Sequence, residues 1–81
     1  SNSKEPIEIT ADATLEWHRN DKTFIAKKNA IALQGEVSIA AQTLTALYRD
    51  DAAGDMEVYE MRAQESVVVS DKNDLLFFVL F

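Results

Sequence analysis

Residues 26–48, AKKNAIALQGEVSIAAQTLTALY, decide the fold. Their one turn signal, Gln34-Gly35-Glu36, is flanked by apolar residues spaced two apart. After the turn Val37, Ile39 and Ala41 alternate with Glu36, Ser38 and Ala40, the period of a half-buried β-strand and not of a helix. Before it Ala30 and Ala32 share one face while Ile31 and Leu33 share the other, so neither face carries charge. Residues 43–48 place Leu44, Ala46 and Tyr48 on one side. With Ala41-Gln42 ahead of them they form the segment most open to a helical reading, but the spacing predicts strand.

The rest of the chain reads as further short strands joined by polar turns. Pro6 opens the first, where a missing N–H does little harm. Ile7, Ile9 and Ala11 then alternate with Glu8, Thr10 and Asp12. Leu15 and Trp17 alternate with Thr14, Glu16 and His18, and after the polar turn at residues 19–22 Phe24 and Ala26 mark a third strand. Residues 50–55, DDAAGD, are the clearest loop. Residues 56–61 and 66–70 read as two more strands, and residues 70–74 as the last turn. The final run, LLFFVLF, is far shorter than the ~20 residues that span a bilayer as a helix. It reads as a buried strand or one that seeks a partner.

Eighty-one residues make one domain with a marginal core, because a chain this short buries only ~60% of the surface it exposes when unfolded. Hydrophobic residues at 47% and charged residues at 27% are ordinary for a globular protein and argue against disorder. A net charge of -6 with 8 Lys and Arg argues against nucleic acid and against an anionic membrane surface. The absence of cysteine removes disulfides, thiolate catalysis and cysteine-based metal sites. Residues 1–5 are set aside as a disordered or expression-derived start, and residues 6–81 form the single domain.

Little in the polar residues points to chemistry. His18, the only histidine, lies beside Glu16, Arg19 and Asp21 in a turn and reads as a solvated residue, because no partners stand at metal-ligand spacing. Asp50, Asp51 and Asp55 lack the alternating ligands and closing glutamate of an EF-hand loop. Ser38 and Ser66 have no nucleophile-elbow glycines around them. The carboxylates alternate with apolar residues as an outer face should, so no catalytic residue, metal or cofactor is expected.

Internal repetition is also visible. Ile9-Thr10-Ala11-Asp12 recurs as Ile39-Ala40-Ala41-Gln42, with Leu15 and Leu44 following at similar distance. Residues 26–32 likewise parallel residues 63–69. Repeats at this period suggest stacked β units, none of which can bury its apolar face alone.

Residues 6–12 (PIEITAD), Phe24, Asn29, Gln34-Gly35 and Ile39-Ala40-Ala41 together resemble the LptA/OstA-like family, periplasmic lipopolysaccharide-transport proteins related to the organic-solvent-tolerance proteins. The family pattern runs P-I-x-I-x-A-D, then F-x-G-N-V-x-V-x-Q-G, then I-x-A-D-x-L. The match covers residues 6–48, with a weaker echo to residue 70. Lys28 and Glu65 stand where the family usually has glycine, Ala30 where it has valine and Gln42 where it has aspartate. Lys28 is therefore expected to alter the local bend, and a truncated or divergent member is one reading.

The resemblance implies an all-β fold, an antiparallel β-jellyroll or open V-shaped roll. It implies a periplasmic location with the signal peptide removed, an interior that holds lipid A acyl chains, and domains that stack edge to edge with one another and with other lipopolysaccharide-transport components. Acyl chains need only a dry lining, worth ~0.8 kcal/mol per buried CH₂. The groove residues on this reading are Ile7, Ile9, Leu15, Trp17, Phe24, Ala30, Ala32, Val37, Ile39, Ala41 and Leu44. Ile31, Leu33, Leu47 and Val68 should face outward. Leu75, Leu76, Phe77, Phe78, Val79, Leu80 and Phe81 are the expected oligomer edge, since such a strand aggregates unless paired. The rival is a self-assembling β-solenoid scaffold without ligand, distinguished by a filled core with no cavity.

Overall fold

The protein was analysed as a computed structural model, which describes residues 5–71 and the strand path of residues 76–80. Seven strands follow in order: β1 (Ile7–Thr10), β2 (Thr14–His18), β3 (Thr23–Gln34), β4 (Val37–Asp50), β5 (Met56–Gln64), β6 (Val67–Asp71) and β7 (Leu76–Leu80). All pairings are antiparallel, within one sheet that does not close on itself. No helix occurs among the described residues.

The hairpin of β3 and β4 is the spine. Gly35 turns it at φ 58°, a left-handed conformation that glycine enters without strain. A Cβ at Gly35 would also press on the Glu5 side chain at 3.3 Å. Each spine strand is paired on its far edge by two shorter strands laid end to end. β1 takes residues 31–34 of β3 and β2 takes residues 23–27. On the other side β6 takes residues 37–40 of β4 and β5 takes residues 43–50. β7 then extends the sheet beyond β6.

The spine strands are longer than the sequence suggested. Residues 24–26 and 30–33, read as separate strands, belong to the single β3, and residues 37–41 and 43–48 to the single β4. The interruption between them is a bulge and not a turn. The β3–β4 register shifts between Lys27 and Ala30, so Lys28 and Asn29 together oppose Gln42. Lys28 has φ 75° and Asn29 φ 50°. Lys28 here holds a left-handed conformation that glycine enters without strain.

The same break recurs on every rung of the sheet. β1 and β2 are separated at residues 11–13, where the Asp12 and Ala13 amides donate to the Lys28 and Lys27 carbonyls at 2.8 and 3.1 Å. β5 and β6 are separated at Glu65 and Ser66, with φ 70° and 58°. The Gln42 amide donates to the Glu65 carbonyl at 2.9 Å. Side chains cross-link this line: Asn29 Nδ2 donates to Asp12 Oδ2 at 2.8 Å, and Gln42 Nε2 to Asn29 Oδ1 at 3.1 Å. The line divides the sheet into two limbs. One holds β1, the ends of β3 and β4 nearest Gly35, β6 and β7. The other holds β2, the remaining halves of β3 and β4, and β5.

The sequence repeats map onto this plan. Ile9 pairs with Ala32 and Ile39 with Val69, while Leu15 pairs with Ala26 and Leu44 with Ala63. Each repeat is thus a rung that crosses the same bend. Buried apolar residues line one side of both limbs: Ala26, Ala30, Ala32, Ala41, Leu44, Ala46, Tyr48 and Val67. Alanine dominates because it sits on the central rungs.

Candidate functional site

Strict alternation would send the two halves of β4 to opposite faces, because the step from Ala41 to Leu44 is three. On β3 the step from Ala26 to Ala30 is four, so the extra residue of the bulge keeps both halves on one face. The bend absorbs the odd step on β4, so Ala26, Ala30, Ala32, Ala41, Leu44 and Val67 form one cluster with Ile7, Ile9, Ile39, Met61, Ala63 and Val69 packed around it.

Between the limbs lies a cavity of about 720 Å³, in the size range of small-molecule sites. The first limb contributes Glu5, Pro6, Ile7, Ile9 and Gln34. The second contributes Leu15, Glu16, Trp17, Phe24, Ala26, Met56, Glu57 and Val58. A smaller cavity of about 200 Å³ shares Ile7, Gln34 and Val58 with it and adds Ala32, Leu33, Val37, Ile39, Tyr59, Glu60 and Met61. The space exists because the floor is alanine while the walls are isoleucine, leucine and aromatic rings.

The walls are not covered. Leu15 is 61% exposed and Trp17 49%, although Leu44, on the same row of the sheet as Leu15, is 1% exposed. Large apolar side chains with that much free surface, on the face that carries the core, mark a trough and not a packed interior. Trp17 stacks on Phe24 with ring centroids 5.5 Å apart and planes 16° apart, and Phe24 meets Tyr48 at 5.3 Å. Trp17 Nε1 donates to the Tyr48 hydroxyl at 2.8 Å, which fixes the indole in the wall. The Arg19 guanidinium lies 4.3 Å from the Trp17 ring centroid.

All eleven residues expected in the groove therefore lie on this face. Ile7, Ile9, Leu15, Trp17, Phe24, Ala32, Val37 and Ile39 line the two cavities, and Ala30, Ala41 and Leu44 lie buried in the adjoining core. The sequence reading missed Ala26, Ala46, Tyr48, Met56, Val58, Met61, Ala63, Val67 and Val69. Ala46 and Tyr48 carried the right alternation but lay beyond the break at Gln42. Met61, Ala63, Val67 and Val69 follow from the repeat once β5 and β6 are laid against β4. Ile31, Leu33 and Val68 are exposed, on the opposite side from Ala30 and Ala32, and Leu47 is half-buried.

The polar groups stay at the rims and on the outer face; among the described residues no polar or charged side chain is buried. His18 Nε2 and Lys27 Nζ lie 2.9 and 3.2 Å from the two oxygens of Glu16. The hydrogen bond with His18, and then that with Lys27, hold the Glu16 carboxyl below its ordinary value of 4.5. Ser38 and Ser70 share a hydrogen bond across β4 and β6 at 3.1 Å. Asp51 Oδ1 accepts from the amides of Ala53 and Asp55, both at 2.9 Å, so that acid closes its own loop. No group of three or more His, Asp or Glu among the described residues is placed to hold a metal. What the arrangement can do is hold an apolar chain.

Residues 76–80 of the expected oligomer edge form β7, the last strand on its side of the sheet, antiparallel to β6 of the same chain. Leu75 and Phe81 lie outside the described residues. No known protein family, curated protein or solved structure matches the chain.

Proposed function

We propose that the protein is a non-enzymatic lipid-binding module of a periplasmic lipopolysaccharide-transport bridge. In this reading the sheet is an open V-shaped roll, the acyl chains of lipid A lie between its limbs, and successive copies or other transport components join through the edge strands. The observation that carries the reading is the pairing of an open cavity of about 720 Å³ with apolar walls that the protein itself leaves half bare at Leu15 and Trp17. The resemblance of residues 6–48 to the transport family supplies the ligand class. A ligand-free solenoid scaffold would fill the space between its limbs, and the cavity favours the lipid reading over it.

Binding to such a surface is non-directional, so many weak contacts add. A chain that buries ten CH₂ groups gains roughly 8 kcal/mol before the entropy of confinement is subtracted. The test is photocrosslinking of lipopolysaccharide to a photoreactive residue placed at Ile9 or Ile39, with the outward position Ile31, which lines neither cavity, as control. Adducts at Ile9 and Ile39 and none at Ile31 are expected. A folded protein that gives no adduct at either inner site would sink the groove.

A further inference from the structure

Among the described residues, four of the six cations are paired with a carboxylate. Lys22 faces Asp50 at 3.0 Å, Lys27 Glu16 at 3.2 Å, Arg49 Glu57 at 3.2 Å and Arg62 Glu60 at 2.6 Å. Lys28 sits on the bend. Arg19 differs from the four paired cations: among the described residues no carboxylate meets it, and it lies over the face of Trp17, itself a wall of the cavity. A guanidinium held over a ring keeps its N–H donors in its own plane, where they form a fork suited to phosphate or carboxylate.

We propose that Arg19 is the headgroup contact of the groove, and that it selects amphiphiles with an anionic phosphate or carboxylate head over neutral and cationic ones. This rests on the groove reading above and adds to it a residue, a charge sign and an orientation. Arg19 stands behind Trp17 at the rim, and the charged groups that line the cavity itself are the carboxylates Glu5, Glu16 and Glu57. Glu16 and Glu57 are matched by Lys27 and Arg49, whereas Glu5, on the opposite limb, meets no cation among the described residues. An anionic head is therefore repelled from the Glu5 side and drawn to Arg19, and its chain runs inward over Leu15 toward Ile7 and Ile9. Cation–π contact places the guanidinium without consuming its hydrogen bonds, so the site is set before the ligand arrives.

The test is isothermal titration of the full chain with four probes below their micelle concentrations: dodecyl phosphate, dodecyl maltoside, dodecyltrimethylammonium and inorganic phosphate. Dodecyl phosphate is expected to bind about tenfold more tightly than the maltoside, the scale of one charge-assisted contact. The cationic detergent should bind more weakly than either, and inorganic phosphate should not bind measurably. Arg19→Gln should erase the preference for the phosphate over the maltoside, while Arg19→Lys keeps part of it. Circular dichroism confirms that the variants fold. Equal affinity of the native protein for phosphate and maltoside overturns the role of Arg19 while leaving the groove intact, and so does a preference that survives Arg19→Gln. Inorganic phosphate binding as tightly as dodecyl phosphate means an anion site uncoupled from the groove and also overturns it. If no amphiphile binds, the groove itself is wrong, and Arg19 has no head to contact.

Discussion

Leu15 and Leu44 provide an internal control for the openness of the groove, because they share a residue type, a row of the sheet and a face. Leu44 is 1% exposed in the centre of that row, and Leu15 is 61% exposed at its edge. Leu44→Ala removes a fully buried side chain and leaves a hole, a change that lowers stability by about 3 kcal/mol or more. Leu15 buries about two-fifths of its surface, so Leu15→Ala forfeits about two-fifths of the ~1.5–3 kcal/mol of a fully buried leucine, roughly 1 kcal/mol. A domain of this size has a total stability of about 4–12 kcal/mol, so the first loss is a large part of the whole and the second is not. Urea unfolding followed by the single tryptophan, Trp17, measures both. With a slope of about 1 kcal/mol/M the midpoint should fall by about 3 M for Leu44→Ala and about 1 M for Leu15→Ala. Comparable losses for the two variants would refute the reasoning, since Leu15 would then be covered in solution and the trough filled by protein.

Further outcomes follow from the bend and the rims. Asn29→Ala combines a left-handed φ of 50° with loss of the contacts to Asp12 and Gln42, and should lower stability by about 2 kcal/mol in the same assay. Lys28→Gly should hold or raise stability while Lys28→Val lowers it by about 1 kcal/mol; the reverse order would mean that the bulge is absent. The folded-state pKa of Glu16 is depressed by His18 and Lys27, so its contribution is present above the ordinary value of 4.5 and is lost as pH falls through the lower folded value. Because the group is solvent-exposed the effect should be small and salt-sensitive, and Glu16→Gln should flatten the acid limb of Tm against pH at low ionic strength. Tyr48→Phe removes the acceptor of the Trp17 Nε1 hydrogen bond, and should lower stability by about 1 kcal/mol and change the Trp17 emission; an unchanged spectrum would show that the indole is not held there.

Alternation around Gly35 was enough to set the central hairpin and to sort Ile31 and Leu33 from Ala30 and Ala32, because a two-residue period is a local property of extended chain. The length of β3 and β4 was not legible. A bulge formed by Lys28 and Asn29 in left-handed conformations looks in sequence like a polar turn, and nothing in Lys28 announces a positive φ. The repeat held that information indirectly, since Lys28-Asn29 and Glu65-Ser66 occupy equivalent places and both break a ladder. The groove face was readable where apolar residues alternate, at Ile7, Ile9, Ile39 and Leu44. It was not readable at Met56 and Val58, which reach the cavity only because the second limb faces the first. The contact between Arg19 and Trp17 lies two residues along the chain, but its position on a cavity wall depends on the bend.

Close contacts between strands in this sheet are concentrated between hydrogen-bonded neighbours. Backbone cohesion is therefore passed from strand to neighbouring strand around the small central cluster, and opening should proceed like a zipper from its ends. Amide exchange is expected to be slowest in β3 and β4, each held on both edges, and to quicken outward to β1 and β2 on one side and β5 on the other. A cargo lying across several rungs would tie those outer strands to the inner ones. Its arrival would then be felt in the exchange rates of strands it scarcely touches.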